Sequence, residues 1–466
     1  MKTVLIPVTT NFFSRNFLRT DAYTELRASG AHIVLLVPPR RLEYYRNEFS
    51  GPHTRIEAMA DVRTWIESVF LFLETASIHS RTEEMLQCTD LNRRGARKSA
   101  PVRVAAFAVK RACWFLGRWR WWRETLRSVY YRIPNYAAAA VLMRYRPDLV
   151  FVPAMIGGDY PFLKEAGRRG IRTAGMVLSW DNLFSKTLLR VRPDRLLIHT
   201  EYLKDQAINL GDYPAEKIEV TGVPQYDRYF QGRSVVSREQ FIRKLGGDPA
   251  KKLILYAFSG KSGIGIEFEV VKILHEIIRE GALGEDVEVL LRPYPRYDFP
   301  EEKLERMRRD YGFLADAAVA HIGEGKDDWE FDRKSLDFLH ATLTHADAVL
   351  TMYSTFFIEA AIFDKPILAV AFDGLAKRDY WNSAARFFEW EHLARLKRFN
   401  GMGFIMDKEG MIQALRAALK NPRAHEEGRR EVVRDQCGYT DGRAGARVAV
   451  SLVRMLGSRQ DTKRRV

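Results

Sequence analysis

The chain is poor in cysteine, with three in 466 residues: Cys88, Cys113 and Cys437, far apart. No C-x-x-C or Cys/His spacing links them, which excludes a zinc ribbon and a disulfide framework and points to a reducing compartment. Nowhere do about 18 uncharged apolar residues run together, so no transmembrane helix is expected. The apolar run within Met1–Pro7 is too short for a signal peptide, and no A-x-A-like site follows, so a cytosolic protein is expected. None of the ten histidines shows an H-x-x-x-H spacing suited to a metal. No Ser/His/Asp or Cys/His nucleophile grouping stands out, and no tandem repeat of 20–50 residues is visible.

What is present is ordinary globular usage, 46% hydrophobic and 29% charged, in a length that allows two or three domains. The charge is uneven. The chain carries +15, and the stretch Arg93–Arg132 supplies +11 of it, with twelve basic residues against Glu124 alone. Four of the nine tryptophans lie in the same stretch, and Pro101 and Pro134 bracket it as a helical region. Indoles favour the lipid headgroup level, and each basic residue near an anionic leaflet contributes about 1 kcal/mol. Trp114, Trp119, Arg120, Trp121, Trp122 and Arg123 therefore predict an anionic membrane surface as partner, with the protein peripheral on the inner face of the cell membrane. The bland alternative is a solvated basic face with the tryptophans in the core. Nucleic acid would attract the same residues, but no recognised nucleic-acid module is visible.

Hydrophobic runs alternate with amphipathic ones throughout. Strands are predicted at Thr3–Val8, His32–Val37, Asp148–Pro153, Ile171–Leu178, Arg195–Thr200 and Lys217–Thr221. A polar, glycine-broken connection spans Gln225–Ala250. The alternation then restarts with strands at Lys252–Phe258, Val287–Arg292, near Val319–Ile322, at Ala348–Met352 and at Pro366–Ala371. Helices are predicted between them, the first over Asn16–Ser29 and the last over Gly442–Leu456. This is the pattern of parallel sheets. The fold class expected is α/β, two Rossmann-like doubly wound domains facing an interdomain cleft. Domains are expected at 1–230 and 231–440, with a final helix and tail at 441–466. In such sheets ligands bind at the carboxyl ends of the strands, so the loops after strands carry the candidates.

In Thr351–Ala360 a buried strand ends and Ser354 and Thr355 open a helix. Their hydroxyls and the first-turn amides suit an anion such as a diphosphate, and Glu359 could accept hydrogen bonds from a ribose. The same residues also suit an ordinary helix cap. The loop Ser259–Gly265 fails the P-loop pattern, because Leu255 stands where glycine is required. It fails G-x-G-x-x-G as well, because Phe268 stands at the third glycine. What remains is a tight loop in which Ser259 and Lys261 could approach a phosphate. Arg292, at the end of another strand, could bind phosphate or stand on the surface. No D-x-D triplet occurs, so no metal is expected at a diphosphate. In the first half, Trp180, Asp181 and Asn182 form a loop suited to carbohydrate. Asp181 could serve as general base towards an acceptor hydroxyl, or simply cap a turn. Asp159 and Arg15, in loops after other strands, are further acceptor-binding candidates.

Three segments carry a resemblance. His199–Tyr202 with Lys217–Pro224 resembles the close of an acceptor domain in the GT-B superfamily of glycosyltransferases. His345–Leu350, Ser354-Thr355, Glu359-Ala360 and Lys365–Ile367 resemble that superfamily's donor-binding region. Tyr439–Ala444 is similar to endings in CDP-glycerol glycerophosphotransferase-like and surface-polysaccharide transferases. The resemblance implies an acceptor-binding domain at 1–230, a donor domain at 231–440 and a last helix that crosses back to the first. It also implies a nucleotide diphosphate and ribose near Ser354, Thr355 and Glu359, with Ser259 and Lys261 in the loop after the donor domain's first strand. The H-G-x-P pattern of the glycerophosphotransferases is missing, and Ser179-Trp180-Asp181-Asn182 stands at that place. The expectation is a metal-independent glycosyltransferase. It would use a nucleotide sugar as substrate, no further cofactor, and a lipid-linked or membrane-held glycan acceptor in cell-surface polysaccharide or glycolipid assembly. The alternatives are a CDP-polyol phosphotransferase or sugar-nucleotide epimerase on the same fold, or a non-catalytic protein that binds nucleic acid or lipid.

Overall fold

The structure is a computed structural model that describes residues 1–93, 99–232, 235–260, 263–294, 301–316, 319–322 and 329–457. The chain divides into two units. The first comprises Met1–Leu91, Ala96–Gln231 and Gln436–Val466; the second comprises Asn92–Gly95 and Gly232–Asp435.

The first unit holds seven strands: β1 (Thr3–Pro7), β2 (His32–Val37), β3 (Thr54–Ala58), β4 (Leu149–Val152), β5 (Arg172–Met176), β6 (Arg195–Ile198) and β7 (Ile218–Val220). Their order is β3-β2-β1-β4-β5-β6-β7, and every neighbouring pair is parallel. Apolar runs such as His32-Ile33-Val34-Leu35-Leu36-Val37 form these strands because a parallel sheet is covered on both faces. Successive side chains enter opposite cores. Leu5, Val34, Leu36, Val150 and Val152 join Tyr130, Phe162 and Leu163 on one side. Val4, Ile6, Ile33, Leu35, Leu149 and Phe151 join Ala22 and Leu26 on the other, together with Val448 and Leu452 of the last helix, Ala444–Gly457. That helix starts at an acceptor supplied from elsewhere in the unit, since the amides of Ala444 and Gly445 donate to the Asp227 carboxylate at 2.9 and 2.7 Å. A side chain at Gly445 would meet the Ala22 amide nitrogen at 2.8 Å, so the close packing needs glycine.

The second unit holds β8 (Lys252–Ala257), β9 (Val287–Arg292), β10 (Leu314–Ala315), a short antiparallel pair β11 (Ala320–His321) and β12 (Trp329–Glu330), then β13 (Ala348–Thr351), β14 (Ile367–Val370) and β15 (Gly403–Ile405). The main sheet runs β10-β9-β8-β13-β14-β15, again all parallel. Both main sheets are thus doubly wound. The direction of winding reverses between β1 and β4 in the first unit and between β8 and β13 in the second. Ligands bind at such reversals, beyond the carboxyl ends of the strands.

The first helix differs from expectation. Residues Ser14–Leu18 form a π-helical turn, and the α-helix begins only at Asp21, where the Thr20 hydroxyl oxygen accepts from the Ala22 amide. The connection 225–250 contains a helix, Arg238–Leu245, with a capping box of Ser237 and Gln240.

Candidate functional site

At the reversal in the second unit, the loop after β8 lies against the residues after β13. A Cβ placed on Gly260 would sit 3.8 Å from both the Tyr294 ring and the Tyr353 hydroxyl; one on Gly263 would sit 2.9 Å from the Met352 sulfur. Gly260 has φ +129°, a conformation that side-chain-bearing residues avoid. Glycine serves the backbone conformation at Gly260 and the close approach at Gly263. Tyr353 is held by a ring contact to Phe387 at 3.9 Å and to Trp390 at 5.7 Å.

Ser354 and Thr355 stand half-buried between β13 and the helix Phe356–Ile362. The first-turn amides, expected to be open to an anion, are occupied. Phe356 donates to the Ser354 hydroxyl oxygen at 3.2 Å, Phe357 to the Ser354 carbonyl and Ile358 to the Thr355 carbonyl. Ser354 Oγ accepts there, which leaves its own proton to donate, and the Thr355 side chain makes no cap bond. The hydroxyl protons, rather than the amides, are therefore what this corner offers. Glu359 is fully buried.

Two other predicted phosphate ligands are occupied internally. The Ser259 amide and hydroxyl both donate to Glu267 Oε1, at 2.9 and 3.0 Å. Glu267 itself is fully buried, and burial pushes its carboxyl up to about 8. Ser259 thus locks the loop to the following helix. Arg292 is buried and its guanidinium is ion-paired with Asp316, so its charge is neutralised inside the unit. It still lies at this corner, 5.8 Å from the Phe356 ring centroid. Lys261 lies outside the described residues. Sequence reasoning missed Glu267 and Tyr353. A carboxylate in the first turn of the helix after a strand was a readable signal for Glu267; nothing local marked Tyr353.

In the first unit the candidates fall on three loops. Asp181 is half-buried and ion-paired with Lys186 at 2.7 Å. Trp180 is buried, and Asn182 is fully buried with its Nδ2 donating to the Ala154 carbonyl at 3.4 Å. Arg15 is half-buried in the π-helical turn. Asp159, after β4, is fully buried and accepts the hydroxyl of Thr9, after β1. Desolvation pushes its carboxyl up to about 7, against the opposing pull of the Thr9 hydrogen bond, the Met155 and Ile156 amides and Arg63. Thr9 was not a sequence candidate, since its partner is 150 residues away.

The six residues expected on a membrane divide into two groups. Arg123 is buried and donates twice to Asp212, at 2.7 and 2.6 Å. Trp122 donates to Ser77 Oγ and Trp114 to the Ser80 carbonyl, each at 3.0 Å. These three contacts hold the helices Ala100–Leu116 and Arg120–Arg132 onto the unit, with Arg123 buried and Trp114 and Trp122 half-buried. Trp119, Arg120 and Trp121 are exposed, Trp121 to 58%. Val102, Val104 and Val109 are exposed on the same segment, and Trp65 is 75% exposed on the helix Trp65–Ala76. Among the described residues no helix is long and apolar enough to cross a membrane. No group of three or more His, Cys, Asp or Glu side chains among them could hold a metal.

Solved structures share this architecture. The S. aureus MnaA–UDP structure matches with TM-score 0.54 at 13% identity, over 100% of both chains. The Neisseria meningitidis UDP-GlcNAc 2-epimerase bound to UDP-GlcNAc matches with TM-score 0.52 at 12% identity, over 97% of this chain and 100% of that one. A Rickettsia africae glycosyltransferase matches with TM-score 0.51 at 10% identity, over 97% and 98%. At these identities the likeness is one of fold, and the fold is GT-B. No curated protein sequence matches. The sequence of residues 211–454, which runs from the end of the first unit through the second and into the last helix, matches the family described as CDP-Glycerol:Poly(glycerophosphate) glycerophosphotransferase. That span is more than half of the chain, and the protein belongs to this glycerophosphotransferase family within the GT-B superfamily.

Proposed function

We propose that the protein is a transferase that moves a sugar from a nucleotide-sugar donor, bound by the second unit, to a hydroxyl of a lipid-linked or membrane-held glycan bound by the first. The observation that carries this reading is the meeting of Gly260 and Gly263 with Tyr353 and Met352 at the sheet reversal, beside Ser354 and Thr355. Glycine there brings backbone close to a diphosphate, and the two hydroxyls donate to it. Tyr353, backed by Phe387 and Trp390, offers a ring face to a base. No metal and no cofactor beyond the donor is invoked. The UDP and UDP-GlcNAc in the two neighbours named above favour a nucleotide-sugar donor. The exposed Trp119, Arg120 and Trp121 support a membrane-held acceptor and a protein on the inner leaflet.

A second reading, transfer of a polyol phosphate from a CDP-polyol, is favoured by the family match over 211–454. Product mass separates the two, because a phosphate is added to the acceptor only in the second. Epimerisation, the activity named for the Neisseria relative, would need no acceptor at all.

The test is calorimetry with a panel of nucleotide sugars and CDP-polyols, followed by mass spectrometry of the products. One class of donor is expected to bind, and a double Ser354→Ala, Thr355→Ala variant to bind about 10-fold more weakly, as two lost hydrogen bonds imply. Absence of binding by every donor rejects the transferase reading.

A further inference from the structure

We propose that the ends of β1 and β4 form a proton-accepting alcohol site, in which Thr9 receives the acceptor's hydroxyl and Asp159, behind it, takes up the proton through the Thr9 oxygen. This rests on the transferase reading and assigns its base to a different carboxylate from Asp181, which is paired with Lys186.

Position is the first argument. β1 and β4 are the parallel neighbours between which the first sheet reverses, and Thr9 and Asp159 are in the loops that leave their carboxyl ends. Hydrogen-bond direction is the second. A hydroxyl has one proton, and Thr9 gives its proton to Asp159 Oδ1. While Asp159 is an anion, the half-buried Thr9 oxygen has only lone pairs left, so it selects a donor, and an alcohol is one. Asp159 Oδ2 is buried and has no hydrogen-bond partner of normal geometry among the described residues.

The third argument is the loop itself. Met155 and Gly157 are both left-handed, with φ +52° and +65°. For Met155 that conformation is strained and must be held from outside. Three side chains hold it: Tyr160 donates its hydroxyl to the Met155 carbonyl at 3.2 Å, Arg190 donates to the Gly157 carbonyl at 3.4 Å, and Asn182 donates to the Ala154 carbonyl. Arg190 is buried beside Glu67 and Glu74, at 3.8 and 3.5 Å, so it is a neutralised strut. Asn182, expected to touch the acceptor, is a positioning residue here.

The charged and titratable groups facing Asp159 are Arg63, whose Nε lies 3.9 Å from a Cβ on Gly158, and Tyr160. Burial outweighs Arg63 and leaves the carboxyl near 7, the range in which a general base works at neutral pH. In the step, the acceptor O–H bond breaks and its proton passes to Thr9 Oγ1, as the Thr9 proton passes to Asp159 Oδ1. The acceptor oxygen uses the freed electron pair to bond the transferred carbon, or phosphorus in the second reading. The bond from that atom to the nucleotide phosphate oxygen breaks, and the nucleotide leaves with that pair.

The experiment measures turnover from pH 5.5 to 9, nucleotide affinity and melting temperature for the full chain and for Thr9→Ser, Thr9→Val and Asp159→Asn. Wild-type and Thr9→Ser turnover should rise through about pH 7. Thr9→Val and Asp159→Asn should lose about 100-fold or more and lose that rise, with nucleotide affinity unchanged. Either variant turning over within about 3-fold of wild type with the same pH profile overturns the proposal. If Asp159→Asn fails to fold, Thr9→Val decides. If wild type binds nucleotide but the profile shows no rise near 7, the base assignment is wrong while the transferase reading stands. If wild type binds none, both fall.

Discussion

The two sheet reversals use a buried carboxylate in opposite ways. In the second unit Glu267 accepts the amide and hydroxyl of Ser259, eight residues earlier, and so fastens one loop to its own helix. In the first unit Asp159 accepts from Thr9, on the loop of a neighbouring strand, and so joins two loops. Both groups are raised by burial, to about 8 and about 7. The local arrangement stiffens a loop. The long-range one ties together the loops that leave two neighbouring strands. A buried carboxylate is thus no sign of chemistry until its partner is known.

The largest effect that tests this contrast is expected at Arg292. If its charge serves only Asp316, Arg292→Ala leaves a buried carboxylate unpaired and lowers stability by about 3–5 kcal/mol in denaturant melts. The Arg292→Met, Asp316→Leu double variant should recover much of that and still bind nucleotide. Loss of nucleotide binding in the stable double variant would restore Arg292 as a phosphate ligand.

Next in size is the pH dependence of stability. The folded chain keeps protons on Glu267 and Asp159 that the unfolded chain releases near its ordinary carboxylate range. The stability these groups contribute is therefore complete below about pH 4. It is lost as pH rises, through about 7 for Asp159 and about 8 for Glu267. Melting free energy should fall by on the order of 2–4 kcal/mol per group between pH 5 and 8.5. Both falls begin near the ordinary carboxylate range, so either Glu267→Gln or Asp159→Asn should reduce the slope up to about pH 7, and only Glu267→Gln should remove the fall between about 7 and 8. A curve that Glu267→Gln leaves unchanged would mean that Glu267 is ionised in the folded protein.

The smallest effect concerns the tryptophans. Trp119→Ala with Trp121→Ala should leave stability within about 0.5 kcal/mol while cutting binding to anionic vesicles about 10-fold. Trp122→Ala should lower stability by about 1–3 kcal/mol, because Ser77 loses its partner. Flotation unaffected by the double variant removes this segment from the membrane.

Much of the architecture was readable because buried parallel strands are apolar runs. β1, β2, β4, β8, β9 and β13 all declare themselves in this way. β3, Thr54-Arg55-Ile56-Glu57-Ala58, and β15, Gly403-Phe404-Ile405, did not. They are sheet edges, one half-exposed and polar, the other three residues long, and only their neighbours specify them. The helices Leu42–Phe49 and Tyr136–Tyr145 went unread as well: the first has no side-chain cap, and the second, though capped by Asn135 on the Ala138 amide, is short. At the candidate site, loop positions were legible and roles were not. Sequence places Arg292, Ser259 and Arg123 at strand ends or in a basic run. It does not show that Asp316 and Asp212 pair with the two arginines, because those ion pairs close across distances that local pattern cannot see, whereas Glu267 lies only eight residues after Ser259.

Because Asp227 receives the amides of Ala444 and Gly445, the first unit waits for the far end of the chain. During translation its seven strands leave the ribosome long before the helix that covers one face of the sheet. At about 5–20 residues per second the interval is ~10–40 s. Through that time an apolar surface centred on Ile33, Leu35 and Phe151 lacks the cover of Val448 and Leu452, which makes the nascent polypeptide a client for chaperones. A nonsense mutation between 231 and 444 would then produce an aggregating fragment instead of a working half.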